Sequence, residues 1–204
     1  MIQIINYGLG NLGSVQNMLK RINVKSVIVN SPKELVKEKI ILPGVGSFDT
    51  GMKNLMNDGW IDPLNELVHG DKVSALGICL GMQLMTNRSE EGELKGLGWI
   101  DGEVLKFPTN QLKIPHMGWN IVKSVGNEPS ILKSEKQELR FYFVHSYYVR
   151  VNQPTDQLGI THYGIDFTSV FRRENVYGAQ FHPEKSHKFG MMLLKNFASL
   201  SINA

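Results

Sequence analysis

The first half of the sequence alternates between short apolar runs and segments whose apolar residues recur at helical spacing. The run IQIIN at 2–6 predicts a buried strand, and Val15 and Met18 then share one face of a helix. Two later apolar runs, KIILPG at 39–44 and VSALGI at 73–78, continue the pattern with a helical stretch between them. This alternation predicts a parallel sheet covered by helices on both faces, with ligands bound at the carboxyl ends of its strands.

A further strand and helix are expected between these elements. VKSVIVN at 24–30 predicts the strand, and the sequence SPKE that follows has the pattern of a helix start. Ser31 and Glu34 have the spacing of a capping box, and Pro32 suits the first helical position. We therefore expect a helix to begin here.

From about residue 97 the pattern changes to strand-rich segments separated by turn residues, followed by a last helix around Leu193 and Phe197. The segments suggest antiparallel additions to the sheet. For residues 1–204 we expect a single α/β domain, a three-layer open, mostly parallel sheet with helices on both faces and antiparallel strand additions. The segments are GEVLKF, LKIPHM, WNIVK, FYFVHSYYV, LGITHYG, FTSVFRR and VYGAQFH.

Composition and charge exclude several classes of function. A content of 42% hydrophobic and 20% charged residues is typical of a globular protein. The net charge is +3, and the basic residues are scattered along the sequence. We therefore expect neither nucleic acid nor a membrane as partner. The apolar run at the N-terminus is too short for a signal peptide or a transmembrane helix, and a single cysteine fits a reducing compartment. The expected location is the cytoplasm, and we expect no metal or cofactor.

The only cysteine lies where a strand turns into a helix. In SALGICLGMQLM at 74–85, Cys79 stands between Gly77 and Gly81, which remove the side chains that would crowd a sharp turn. The amides of a helix N-terminus favour the thiolate, the reactive form of cysteine. The backbone N–H of Leu80 can point at a developing oxyanion. A lone cysteine can also be a small packing residue, but two glycines at an elbow favour a nucleophile.

A nucleophilic cysteine needs a base, and one of the six histidines has a suitable context. His182 follows the strand VYGAQF and precedes Pro183 and Glu184. Residues two apart in an extended chain point to the same side, so the Glu184 carboxylate is expected to contact the His182 ring. A Cys79, His182 and Glu184 triad follows from this logic. The alternative is a surface ion pair at a strand end.

The glycine-rich loop LPGVGSF at 42–48 leaves the third strand at the same edge of the sheet as Cys79. It lacks the Gly-Lys-Ser/Thr ending of a nucleotide-binding loop and the dinucleotide fingerprint. Backbone amides that stabilise a tetrahedral intermediate suit it better than a phosphate, although a plain turn is also open.

Together, LPGVGSF, GICLGMQ and QFHPEKS resemble the class I glutamine amidotransferases over nearly the whole chain. The resemblance implies that Cys79 attacks the side-chain amide of L-glutamine, forms a thioester as ammonia leaves, and releases glutamate with water. It also implies that the oxyanion lies on the amides of Leu80 and of the loop at Val45 and Gly46. The residues it implies for glutamine binding are Gln83, Glu91, His145, Ser146 and Tyr147.

Five further segments resemble one subgroup of that family: NYGLGN, SEEG, PHMGWN, FVHSYY and HPEKS. The subgroup is the glutaminase subunit of imidazole glycerol phosphate synthase, a heterodimer. Its separate (β/α)8-barrel cyclase subunit uses the ammonia in histidine biosynthesis, with formation of imidazole glycerol phosphate and AICAR. The resemblance implies five candidate contacts with the partner, near the ammonia route: Asn11, Met117, Trp119, Tyr142 and Lys185. From sequence, Trp119 is either an exposed anchor or a buried strand tryptophan.

Three alternatives remain at this stage. The segments GLGWI and EKSHKFGMMLLKNFA also resemble paralogous glutaminases that supply ammonia for an amidino sugar of surface polysaccharides. Cysteine peptidases and chaperone-like hydrolases of the same fold share the elbow, although HPE and Gln83 argue against them. A subunit with an idle triad is the third alternative.

Overall fold

The computed structural model describes residues 1–108, 112–125, 131–135 and 138–201. In this part of the chain the α-helices are α1 Leu12–Arg21, α2 Phe48–Asn57, α3 Ile61–Asn65, α4 Leu80–Leu84 and α5 His187–Ser199, and a π-helical segment, Glu66–Gly70, continues α3. The strands are β1 Ile2–Ile5, β2 Ser26–Val29, β3 Lys39–Gly44, β4 Ala75–Cys79, β5 Arg88–Ser89, β6 Gly102–Lys106, β7 His116–Ser124, β8 Leu139–His145, β9 Tyr147–Val151, β10 Gln157–Tyr163, β11 Ile165–Arg173 and β12 Val176–Ala179.

The sheet has a parallel part and an antiparallel part. Its main path runs β2-β1-β3-β4-β12-β11-β10-β7-β8. The strands from β2 to β12 on this path pair in parallel, whereas the pairs from β12 to β8 are antiparallel. The antiparallel pair β6 and β9 joins through β11.

Helices cover both faces because the apolar runs of the parallel strands are buried on both sides. Ile4 packs in one core with Val15 of α1 and Leu193 of α5. Its neighbour Ile5 points the other way, into a second core with Met52 of α2. Successive strand residues face opposite sides of a sheet, so one run of isoleucines serves two cores. The expected three-layer α/β architecture with antiparallel additions is confirmed.

The prediction of a helix after Ser31 is wrong, because only a 3₁₀ turn forms at Pro32–Glu34. Ser31 Oγ accepts from Lys33 N at 3.4 Å, but the Glu34 carboxylate accepts from Asn30 N at 3.1 Å and so does not close a capping box. Leu35 is already extended, and β3 begins four residues later. The return to the sheet leaves no room for a helix.

Two boundaries among the antiparallel strands also differ from expectation. LKIPHM and WNIVK form one strand, β7, that starts at His116, rather than two. FYFVHSYYV divides into β8 and β9 around Ser146. The break at Ser146 matters for function because it brings His145 and Tyr147 to the cavity described next.

Candidate active site

The strand order places Cys79 between the glycine-rich loop after β3 and the segment that carries His182 after β12. In the sheet, β4 lies between β3 and β12, with Cys79 opposite Gly44 and Ile78 opposite Ala179. The glycine-rich loop therefore leaves the sheet on one side of Cys79, and the segment that leads to His182 leaves on the other side. All three meet at the carboxyl ends of parallel strands, where such folds bind ligands.

The turn at Cys79 is strained and tightly packed. Cys79 has φ +53° and ψ −110°, an unusual conformation for a residue with a side chain. A Cβ on Gly77 would lie 2.6 Å from the backbone N of Met82, and one on Gly81 would lie 1.7 Å from the carbonyl oxygen of Leu42. Both glycines are therefore required for the elbow. The Cys79 side chain is buried and faces a cavity rather than the outer surface.

His182 and Glu184 form a buried pair next to this elbow. His182 Nδ1 lies 2.8 Å from Glu184 Oε1, and the two side chains are 2% and 3% exposed. The contact was expected from extended chain geometry, but the structure makes it across the 3₁₀ turn Pro183–Lys185. The backbone of His182 is held by β8: its N–H donates to the carbonyl of Tyr142 at 2.9 Å.

The pKa of His182 reflects its neighbours more than its burial. Burial alone would lower the pKa, because it penalises the imidazolium ion. Interactions with the Cys79 thiol and the Glu184 carboxylate outweigh burial and raise the pKa of His182 to about 10. The ring is thus a base beside a thiol, with a carboxylate that stabilises the protonated form. This arrangement suits proton transfer from cysteine.

A cavity of about 350 Å³ lies over the elbow and contains most of the residues predicted for the reaction. It is lined by Cys79, His182, all three predicted oxyanion residues and all five predicted glutamine ligands. Glu184 lies behind His182, outside the lining. Pro115 and Val144 also line the cavity and were not predicted. The predicted residues in the lining are Val45, Gly46, Cys79, Leu80, Gln83, Glu91, His145, Ser146, Tyr147 and His182.

The loop after β3 is open toward the cavity and tight toward the sheet. Val45 is 45% exposed, and Gly46 has φ +120°, a region that favours glycine. A Cβ on Gly44 would lie 2.2 Å from the Tyr7 hydroxyl oxygen. The loop is therefore anchored at Gly44, and the peptides of Val45 and Gly46 are free of such packing.

The predicted glutamine ligands are themselves held by hydrogen bonds. Gln83 Nε2 donates to the Tyr147 carbonyl and to Gln180 Oε1, both at 3.1 Å. Glu91 Oε2 accepts from the N–H of Phe48, at the start of α2, at 2.8 Å. These contacts fix polar side chains around the cavity, as a site for a polar amino acid requires.

Sequence reasoning missed Gln180, whose Nε2 donates to Cys79 Sγ at 3.9 Å. The signal was available, because Gln180 precedes His182 by two residues and alternate residues at a strand end face the same side. It also missed Ser186, whose Oγ donates to the His182 carbonyl at 2.6 Å and accepts from Tyr142 N at 3.0 Å. Nothing in the pattern of HPEKS indicates that bond.

The residues predicted for a partner form an exposed group beside the cavity. Met117 and Trp119 of β7 are 61% and 48% exposed. The Trp119 ring meets the Tyr142 ring edge to face, with centroids 6.1 Å apart, and Lys185 Nζ lies 5.7 Å from the centroid of the Tyr142 ring. Asn11 is exposed and caps α1, which contacts the turn carrying Lys185. The sequence left open whether Trp119 is exposed or buried in the sheet, and the structure shows that it is exposed.

The described residues contain neither a cluster of metal ligands nor a membrane-spanning helix. No group of three or more His, Cys, Asp or Glu side chains within these ranges could hold a metal ion. No helix in the same residues is long and apolar enough to cross a membrane.

Comparisons with known sequences cover nearly the whole chain. A family profile described as "Glutamine amidotransferase class-I" matches residues 3–200. Imidazole glycerol phosphate synthase subunit HisH 2 of Methanococcus maripaludis is 54% identical over 97% of this chain and 98% of that protein. The subunit of the same name from Pseudomonas aeruginosa is 49% identical over 98% of this chain and 100% of that protein. Subunit HisH of Leptospira borgpetersenii is 48% identical over 98% and 100%.

Solved structures share the fold at much lower identity. A "Crystal structure of glutamine amidotransferase" superposes with a TM-score of 0.76 at 19% identity, over 98% of this chain and 99% of that one. PurLQS from Thermotoga maritima gives a TM-score of 0.73 at 15% identity, over 96% of each chain.

Proposed function

We propose, from the premise that this chain belongs to the class I glutamine amidotransferase family, that it is the glutaminase subunit of an imidazole glycerol phosphate synthase. The observation that carries the proposal is that Cys79 and His182 line one cavity, with Glu184 paired to the far side of the His182 ring. Relatives about half identical over nearly their full length, each named as a subunit of that synthase, support the choice within the family.

In the first half of the reaction, the side-chain amide of glutamine lies over Cys79. His182 holds the proton of the Cys79 thiol, and the thiolate sulfur attacks the amide carbon to form a tetrahedral oxyanion. We assign the stabilisation of that oxyanion to the N–H groups of Leu80 and of the Val45–Gly46 loop, which line the cavity. His182 then gives its proton to the amide nitrogen, and the C–N bond breaks. Ammonia leaves, and the glutamyl group remains bound to Cys79 as a thioester.

In the second half, water replaces ammonia. His182 accepts a proton from the water as its oxygen attacks the thioester carbon, and a second oxyanion forms at the same donors. The C–S bond then breaks, glutamate leaves as its new carboxyl group loses a proton to solvent, and the Cys79 thiolate again lies beside protonated His182. Glu184 holds the Nδ1–H tautomer throughout, so that Nε2 handles the transferred proton in both halves.

The exposed group around Trp119 is the surface that we assign to the barrel partner. An exposed tryptophan with a nearby exposed methionine is typical of an interface anchor. Because His182 donates to the Tyr142 carbonyl, this surface adjoins the base directly. Ammonia released at Cys79 would pass to the cyclase barrel through that interface, and the proposal includes a cytosolic location, which the single cysteine favours.

The test is glutamate release from glutamine by the purified chain, measured alone and then with the cyclase barrel and its nucleotide substrate. We expect a low rate alone and a steep rise with the liganded partner, and no rise for the Cys79→Ser variant. Absence of glutamate release in every condition would overturn the proposal. Turnover that ignores this barrel would keep the glutaminase and point to another ammonia acceptor, the amidino-sugar pathway being the next to test.

A further inference from the structure

One buried histidine has no part in the reaction as described. His116, at the start of β7, is 3% exposed. Its ring stacks between two aromatic rings, with centroids 4.7 Å from Phe143 and 4.1 Å from Tyr163. A histidine in such an apolar slot is retained at the cost of desolvation, so its hydrogen bonds are informative.

The hydrogen bonds of Asn120 define the tautomer of His116. Asn120 Oδ1 accepts from Ile121 N at 2.7 Å, and Nδ2 donates to the His162 carbonyl at 3.0 Å, which fixes the orientation of the amide. Nδ2 also lies 3.1 Å from His116 Nε2. An amide nitrogen can only donate, so His116 Nε2 accepts and the ring proton is on Nδ1.

The same reasoning passes to the next ring. His116 Nδ1 lies 2.9 Å from His145 Nε2, so His145 Nε2 accepts and its own proton is on Nδ1. That Nδ1–H donates to the Tyr147 carbonyl at 2.7 Å. The directions of all these bonds agree, and both rings are neutral. Burial acts in the same sense, since it lowers the pKa of His116 to about 4 and that of His145 to about 3.

The chain of bonds continues to the nucleophile. The Tyr147 carbonyl also accepts from Gln83 Nε2, which donates in addition to Gln180 Oε1. Gln180 Nε2 donates to Cys79 Sγ. A line of hydrogen bonds with one consistent set of tautomers therefore joins Asn120, on the strand that exposes Met117 and Trp119, to the sulfur of Cys79.

We propose that His116 is a positioning residue for glutamine hydrolysis, which orients His145, Tyr147 and Gln83 beneath the substrate by donating Nδ1–H to His145 Nε2. This inference rests on the proposed function. It assigns His116 no contact with glutamine or with the reacting atoms. His145 faces two other titratable rings, His116 and His182, and the positive charge of His182 helps to keep His145 neutral.

Two substitutions of His116 separate hydrogen bonding from packing. His116→Phe keeps a ring between Phe143 and Tyr163 but removes the donor. His116→Asn loses the ring but places an amide nitrogen where Nδ1 was. If the hydrogen bond positions the site, kcat/KM for glutamine with the liganded partner should fall about tenfold or more in the Phe variant and recover in part in the Asn variant.

A third variant approaches the same bond from a less buried position. Asn120→Asp offers an acceptor to His116 Nε2, which reverses the His116 tautomer and leaves two acceptors facing each other at His145. We expect a loss of kcat/KM similar to that of the Phe variant. Nitrogen-15 NMR of the imidazoles should report Nδ1–H on both rings in the wild type. In the Phe variant the His145 Nε2 signal should shift because that nitrogen loses its donor, and in the Asp variant His116 should carry its proton on Nε2.

Unchanged turnover and an unchanged His145 Nε2 signal in His116→Phe would overturn the inference, as would a larger loss in His116→Asn than in His116→Phe. The NMR measurement needs no catalysis. A wild-type chain that never releases glutamate would therefore defeat the proposed function, while the tautomers would still decide whether the hydrogen-bonded line exists.

Discussion

His182 Nδ1 and Glu184 Oε1 are 2.8 Å apart with both side chains almost fully removed from water. The chain offers a direct comparison, because His162 Nδ1 and Asp166 Oδ1 make the same contact at 2.7 Å while 68% and 71% exposed. Water screens the exposed pair, so its two charges contribute little to each other. The buried pair has no such screening, and the Glu184 carboxylate helps to raise the pKa of His182.

Replacing Glu184 with glutamine should reduce kcat by roughly 10²- to 10⁴-fold, because the amide keeps the shape but no longer stabilises the imidazolium. The measurement is partner-stimulated glutamate release at saturating glutamine. Asp166→Asn is the matched control and should leave kcat unchanged. A Glu184→Gln enzyme with wild-type kcat would show that the carboxylate is not part of the machinery.

Gly46→Ala should lower partner-stimulated turnover by roughly a hundredfold, with much less effect on glutamine binding. The reason is that Gly46 has φ +120°, so a side chain shifts the peptide that is proposed to hold the oxyanion. Gly59 also has positive φ, at +71°, with open space around it. Gly59→Ala should therefore cost similar stability without changing kcat, and parallel losses of binding and turnover in Gly46→Ala would refute the oxyanion role.

Met117→Ala should weaken binding of the barrel partner by about tenfold or more, since a side chain at the centre of an interface loses its packing. Met56 of α2 is 55% exposed, against 61% for Met117, and lies outside the proposed surface. Met56→Ala is therefore the control and should leave the affinity unchanged. Isothermal titration of the Met117→Ala and Met56→Ala variants with the cyclase barrel measures the two affinities. Equal affinity for both would move the interface away from β7.

Acid should destabilise the fold through His116 and His145. Burial depresses the pKa of each ring below its unfolded value of about 6.5, so the unfolded chain binds more protons than the native one as pH falls from 6.5 toward 4. The free energy of unfolding should then fall by about 1.4 kcal/mol per pH unit for each ring.

Urea titrations between pH 4 and 7 test this slope. His116→Phe should show a shallower dependence on pH, because one of the two titrating rings is gone. Identical slopes for the variant and the wild type would mean that His116 is already protonated in the native state.

The elbow and the His182–Glu184 contact could be predicted because their causes are local. Two glycines beside one cysteine define a tight turn, and two residues separated by a proline stay within reach of each other. The cavity followed from the parallel alternation, which sends the loops after neighbouring strands to the same edge. These features need only the strand order, not its exact register.

The His116–His145 contact depends on register and could not be read from the sequence. His116 lies directly opposite His145 because β7 and β8 pair antiparallel at that position. A shift of one residue would turn both rings to other partners. The helix predicted from the capping pattern at Ser31 does not form for a related reason. The chain is extended again from Leu35 and enters β3 at Lys39, so too few residues are left for a helix.

The position of β12 in the middle of the sheet has a consequence for synthesis on the ribosome. Gln180 follows Cys79 by 101 residues, and the strand that carries it to the site inserts between β4 and β11. Cys79 is therefore synthesised well before His182, which follows β12. On the proposed mechanism, a chain in which β12 has not yet paired with β4 lacks the base and should not hydrolyse glutamine.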